Sequence, residues 1–117
     1  MDQLFLLNPN FNDDRIGKIN QLYYCPFNAM IEGVLKYFPK IREELNITYV
    51  DFPRPRKAII QILGEEHQGT PLLIIEREDV QLNSLNIQTA NGRKFLHGSS
   101  EIAEYFSRAF GIALPHP

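Results

Sequence analysis

The sequence predicts a single α/β domain over residues 1–117, a mixed sheet with helices on both faces. Three observations carry this expectation. Leu4-Phe5-Leu6-Leu7 and Leu72-Leu73-Ile74-Ile75 are continuous apolar runs of strand length, the pattern of strands covered on both faces. After the first run and near the end of the chain, apolar residues recur at helical spacing. Strand-like and helix-like segments alternate, as in α/β architectures.

The first strand, Leu4–Leu7, ends at Asn8-Pro9. Residues 8–22 are rich in Asn and Asp and contain Gly17, a loop well above the usual length of about 4–6 residues. Its place before the lone cysteine makes it a candidate lid or pocket wall; a tolerated surface insertion is the alternative. A helix starts at Pro26, because proline suits the first helical position. Its apolar face is read as Ala29, Met30, Gly33, Val34 and Tyr37, widened by Ile31, Leu35 and Phe38, which implies a well-buried helix. Gly33 suggests close backbone packing there, since a mid-helix glycine costs about 1 kcal/mol against alanine.

Pro39 ends that helix and opens a short turn from Lys40 to Leu45. Ile47-Thr48-Tyr49-Val50 is β-branched and aromatic, a second strand. Pro53 and Pro55 interrupt regular structure, and Pro55 is placed to open a helix with Ala58, Ile59, Ile62 and Leu63 inward and Gly64 at its end. Pro71 leads into the third strand. Residues 76–92 read as irregular, with a turn at Asn91-Gly92, and Arg93–His97 as a fourth strand, antiparallel to the third and at the sheet edge. Gly98-Ser99-Ser100 supplies a cap for a last helix, Glu101–Phe110, with Ile102, Tyr105, Phe106 and Ala109 inward and Gly111 closing it. Right-handed crossovers would set the first three strands parallel.

A net charge of −2, with the 12 basic residues mostly scattered, gives no reason to expect nucleic acid or an anionic membrane as partner. Arg54, Arg56 and Lys57 form the nearest thing to a basic cluster. No apolar run approaches the roughly 20 residues of a membrane helix. No basic segment precedes Leu4–Leu7 as a secretory signal would require, so the expected location is cytoplasmic. His67, His97 and His116 stand far apart with no cysteine pair, so no metal site is expected and His67 and His97 read as structural.

Cys25 is the only cysteine, which excludes an internal disulfide. Before Pro26 it stands at a helix N-terminus, where backbone N–H groups and the helix dipole favour a thiolate. The plain alternative is an inert buried thiol. Without a second cysteine, any oxidation must be completed by another thiol. Asn28 either donates an amide hydrogen bond to the thiolate or faces solvent in the first turn. Tyr23 and Tyr24 either offer a hydroxyl to a bound thiol or pack against the helix. Arg54 and Arg56 could meet a ligand carboxylate, with surface solvation as the alternative. The free N–H groups at Ser99 and Ser100 suit a carboxylate too, beside plain capping.

Three segments together resemble the thioredoxin fold, in particular glutaredoxins and the N-terminal domain of glutathione transferases. Cys25-Pro26-Phe27-Asn28 stands where those proteins have Cys-Pro-x-Cys or a single-cysteine variant. Thr70-Pro71 stands where they have a cis-proline, and Gly98-Ser99-Ser100-Glu101-Ile102-Ala103-Glu104-Tyr105-Phe106 is similar to the transferase pattern Glu-Ser-x-Ala-Ile-x-x-Tyr-Leu.

The resemblance implies a βαβαββα thioredoxin-like domain with a four-stranded mixed sheet. It implies a glutathione-linked monothiol oxidoreductase or a glutathione-binding domain. Cys25 would be the nucleophile, with Pro26 and Asn28 beside it. Thr70 and a cis Pro71 would pair with a peptide-like ligand, Ser99 and Ser100 would meet its γ-glutamyl end, and Arg54 and Arg56 would assist. Glutathione would enter as co-substrate, without a further cofactor, and a peptide or protein thiol is the other partner implied.

The sequence departs from these families at several places. Asn28 replaces the second cysteine, and Gly98 replaces the acidic residue before the serine. Nothing corresponds to the helical second domain of transferases. Pro26 stands where cluster-holding monothiol glutaredoxins have glycine. These departures keep a non-enzymatic peptide- or protein-binding module as the alternative. Nearly the whole chain also resembles a small uncharacterised thioredoxin-like bacterial family, catalogued as a domain of unknown function. That resemblance rests on Cys25-Pro26, Ile31-Glu32-Gly33, Asp51-Phe52-Pro53-Arg54-Pro55-Arg56, Gly64-Glu65-Glu66 and Pro115-His116-Pro117.

Overall fold

A computed structural model describes residues 1–117. The elements follow in the order β1 (Asp2–Leu7), α1 (Pro26–Tyr37), β2 (Leu45–Val50), α2 (Lys57–Leu63), β3 (Leu72–Ile75), β4 (Gln88–Ala90), β5 (Arg93–His97) and α3 (Ser99–Phe110). Short 3-10 turns occupy Asp14–Ile16 and Pro39–Glu44. No helix is long and apolar enough to cross a membrane.

The sheet is five-stranded and mixed, in the order β2-β1-β3-β5-β4. Side chains of its apolar runs alternate between two cores, because successive residues of a strand point to opposite faces. Leu4, Leu6, Leu73, Ile75 and Leu96 join Ile31 and Leu35 of α1 and Ile102, Tyr105 and Phe106 of α3. Phe5, Leu72, Ile74 and Phe95 join Ile59 and Leu63 of α2 on the other face. Truncating any fully buried leucine here is of the class that costs about 2–5 kcal/mol.

Several sequence expectations are corrected. Only β1 and β2 are parallel; β3 runs antiparallel to β1, with Leu4 opposite Leu73. A parallel β3 would need a crossover returning the chain along the full sheet. The seven residues of α2 cover only about 10 Å, against about 20 Å for a six-residue strand. The fourth predicted strand, β5, is not at the edge but lies between β3 and β4. β4 is short and polar, and it pairs with β5 across Asn91-Gly92, both at positive φ (49° and 73°), as a tight two-residue hairpin demands. Pro55 does not open α2: it follows a cis peptide bond, and Arg56 is the N-cap residue.

α1 is rotated from the face expected for it. Its buried residues are Asn28, Ile31 and Leu35, while Ala29, Met30 and Tyr37 are exposed. The inward stripe therefore starts at an asparagine, and the first-turn anchoring described below fixes that rotation. Gly33 packs against nothing, since a Cβ there would meet no atom within 4 Å. Gly33→Ala is accordingly expected to stabilise the protein by about 0.5–1 kcal/mol, read as a raised denaturation midpoint. A lowered midpoint would show that α1 packs differently.

Candidate functional site

The site lies where β1 ends and α1 begins. Cys25 is the N-cap residue of α1, in extended backbone conformation (φ −85°, ψ 119°), and Pro26 follows at the first helical position. The Cys25 carbonyl accepts the first helical bond, from the Ala29 N–H at 3.0 Å. Its half-buried thiol makes no capping hydrogen bond. Within the chain the N–H groups of Phe27 and Asn28 have no acceptor, so the positive end of the helix is unsatisfied beside the sulfur.

Asn28 takes neither role foreseen for it. It is 3% exposed, and its amide joins three elements. Oδ1 accepts from the Leu7 N–H at the end of β1 (2.9 Å), and Nδ2 donates to Thr70 Oγ1 (3.2 Å). Both ends of the side chain are thus used, and neither is directed to solvent. Thr70 precedes Pro71 through a cis peptide bond, as the resemblance implied. The antiparallel course of β3 puts this turn at the end of the sheet where β1 meets α1. The backbone N–H and C=O of Thr70 have no partner within the chain, whereas the Pro71 carbonyl accepts from the Gly98 N–H at 3.1 Å.

Cys25 borders two cavities. The first, about 350 Å³, is lined by Leu7, the loop residues Phe11, Asp13, Ile16, Tyr23 and Tyr24, then Cys25 and Pro26, and on the far side Phe52, Arg54, Arg56, Gly69 and Thr70. The second, about 270 Å³, lies toward β2 and is lined by Leu7, Pro9, Tyr24, Cys25, Asn28, Ala29, Glu32 and Tyr49. There the Glu32 carboxylate already accepts from the Tyr49 hydroxyl (2.6 Å) and pairs with Arg42 (3.3 Å).

The loop of residues 8–22 is a wall of the first cavity. Phe11 and Tyr23 form an isolated antiparallel bridge, and the Phe11 ring stacks on Phe52 with centroids 4.3 Å apart. Asp13 is held by Arg15, whose Nε and Nη2 donate to its two carboxylate oxygens, each at 3.0 Å. That side-chain pairing lowers the Asp13 pKa.

Arg56 is the second residue whose placement the sequence hid. It is 8% exposed. Its Nε and Nη2 donate to the Phe52 carbonyl (3.3 and 2.8 Å) and its Nη1 to the Gln68 carbonyl (2.9 Å). The buried Gln68 in turn accepts from the Arg56 N–H at 2.8 Å, which ties the Pro55 segment to the Thr70 turn. Burial, then the neighbouring Arg54 charge, lowers the Arg56 guanidinium pKa, and Cys25 acts in the opposite direction.

Ser99 and Ser100 do not join this group. Gly98, not a serine, is the N-cap of α3, with no side-chain cap, and neither serine lines the cavities beside Cys25. Ser99 is buried in the α3 packing face. Pro71 is buried below the turn it forms.

The turn is also tightly seated on its outer side. A Cβ on Gly69 would lie 2.5 Å from Cε1 and 2.9 Å from Nε2 of His97. Burial lowers the His97 pKa, against an opposing backbone interaction with Gly69. Gly69→Ala is therefore expected to cost about 1–3 kcal/mol through overpacking. His97→Ala in the same chain should remove most of that loss, because the clash is with the ring alone. A double variant no more stable than Gly69→Ala would show that the turn backbone is at fault.

The comparisons agree with the broadest of these expectations. Residues 1–114 match the family described as "Protein of unknown function (DUF3088)". The chain belongs to that family. No curated protein and no solved structure matches it.

Proposed function

We propose that this member of DUF3088 is a thioredoxin-like, glutathione-linked monothiol protein in which Cys25 carries out thiol–disulfide exchange. The order β1-α1-β2-α2-β3-β5-α3 follows the βαβαββα plan of the thioredoxin resemblance, with β4 added at the sheet edge. The observation that carries the functional reading is a juxtaposition. Cys25, at an uncapped helix start, shares a cavity with Thr70, whose two backbone groups are unpaired. A peptide-like thiol can pair with those groups in β fashion while its sulfur meets Cys25.

The exchange balances with one reduced glutathione as the reductant. The Cys25 thiolate attacks the glutathionyl sulfur of a mixed disulfide, the S–S bond breaks, and the substrate sulfur leaves as thiolate. A second glutathione thiolate then attacks the glutathionyl sulfur on Cys25, releasing the Cys25 thiolate and oxidised glutathione. The test is incubation with oxidised glutathione followed by intact-mass measurement. One glutathionyl group should appear on the wild type and none on Cys25→Ser. An unmodified wild type would refute the reading.

A second reading is a non-enzymatic module that binds a peptide. Ile16, Ile19, Leu22, Tyr24 and Phe27 are exposed on the loop and first helical turn around Cys25, with Ile19 90% exposed. Binding of thiol-free peptides, unchanged in Cys25→Ser, would select that reading.

A further inference from the structure

We propose that the larger cavity beside Cys25 is an anion site, in which Arg56 selects substrates carrying a carboxylate near the reacting atom. The proposal deepens the thiol reading and rests on it, but its test requires no exchange with glutathione.

Arg56 is buried, and its contacts are neutral. Three of the guanidinium's five N–H donors engage the Phe52 and Gln68 carbonyls, which fix its plane without neutralising its charge. No carboxylate pairs with it. A buried charge without a counter-ion is costly, so an anion arriving beside it relieves a penalty that the folded protein already carries. The Phe52 ring, 5.8 Å from the guanidinium carbon, holds the group from another side.

Arg54 lines the same cavity and also pairs with no carboxylate. Asp13, the only carboxylate in the lining, is already taken by Arg15. Two unneutralised cations thus face one thiol. Even with Cys25 ionised, one positive charge is left for a ligand. A volume of about 350 Å³ sits near the lower end of small-molecule pockets, roughly 300–1,000 Å³, and fits a small organic acid or short peptide. The second cavity has no such charge, because Glu32 and Arg42 neutralise each other.

Iodoacetate and iodoacetamide test this directly. They share a reacting carbon and a leaving group and differ in charge. In both cases the Cys25 thiolate forms an S–C bond, the C–I bond breaks, and iodide leaves with the electron pair. The iodoacetate-to-iodoacetamide rate ratio is expected to exceed that of a free cysteine by about tenfold, the size of one charge-assisted hydrogen bond. Arg56→Gln should remove most of that excess, leaving the part due to Arg54, and Arg56→Lys should keep most of it.

Because Arg56 also ties two loops together, Arg54→Gln is the second variant, expected to lower the ratio a few-fold. A wild-type ratio equal to that of free cysteine would overturn the proposal. So would an Arg56→Gln variant slowed equally toward both reagents, since Arg56 would then act on the thiolate alone. Failure of both reagents to reach Cys25 would defeat the thiol reading itself.

Discussion

Asp2→Ala is expected to lower stability by about 3–5 kcal/mol, a large share of the roughly 5–15 kcal/mol of a domain this size. Asp2 is fully buried at the start of β1. Its Oδ1 accepts from the N–H groups of Glu76 (2.7 Å) and Arg77 (3.0 Å), and its Oδ2 accepts from the buried Tyr105 hydroxyl. Alanine would strand three donors at once, two of them backbone groups just past β3. The network thus ties β1, the end of β3 and α3 at the far end of the sheet from Cys25. Asp2→Asn, which retains an acceptor for the two N–H groups, should lose less than half as much. Equilibrium denaturation decides; a loss below about 1 kcal/mol for Asp2→Ala would show that water replaces the carboxylate.

The same network has a pH signature. Burial, then the Asp2 hydrogen bond, pushes the Tyr105 pKa far above its ordinary 10.0. A group whose folded pKa is raised contributes fully below its unfolded pKa and loses that contribution as pH rises toward the folded value. The stability gap between wild type and Tyr105→Phe should therefore be constant below pH 10 and narrow above it. A gap that widens above pH 10 would have the wrong sign for a buried neutral phenol.

Asn28 carries the second large effect. Asn28→Ala should cost about 2–3 kcal/mol, because the Leu7 N–H and the Thr70 hydroxyl both lose their partner in a partly buried place. Asn28→Asp separates structure from reactivity. Its carboxylate can accept from both the Leu7 N–H and the Thr70 hydroxyl, so the fold should persist. The added negative charge near Cys25 should slow alkylation by anionic iodoacetate relative to neutral iodoacetamide about tenfold, the effect of a Coulomb repulsion of about 1–2 kcal/mol. An unchanged ratio would mean that the added carboxylate does not act on a reagent at the sulfur.

How much of this was legible depended on whether the signal was local. Leu4–Leu7, Leu72–Ile75 and the Ile102-Tyr105-Phe106 stripe announce their elements, because burial on both strand faces or on one helix face leaves a direct apolar pattern. Cys25 with Pro26 locates a helix start because proline suits the first helical position. The direction of β3 was not legible, since it depends on where α2 sets the chain down. It matters: a parallel β3 would have put Thr70 at the opposite end of the sheet from Cys25.

β4 was missed because Gln88-Thr89-Ala90 is short and polar, and pairing with β5 alone defines it. Asn28 looked like a solvent-facing polar residue, although its spacing from Ile31 and Leu35 was the clue that it shares their stripe. The sequence left Arg56, just after Pro55, as either a carboxylate partner or a surface residue, and only the carbonyls of Phe52 and Gln68 explain its burial.

The central claim is that the Cys25 helix start, Thr70 and Arg56 act as one ligand site. Amide chemical shifts of the Cys25→Ser variant, followed as reduced glutathione is added, test it most directly. Phe27, Asn28, Gly69, Thr70 and Arg56 should shift together along one saturation curve, with Ser99 and Ser100 moving little. Shifts absent at Thr70 and Arg56, or confined to α3, would contradict it.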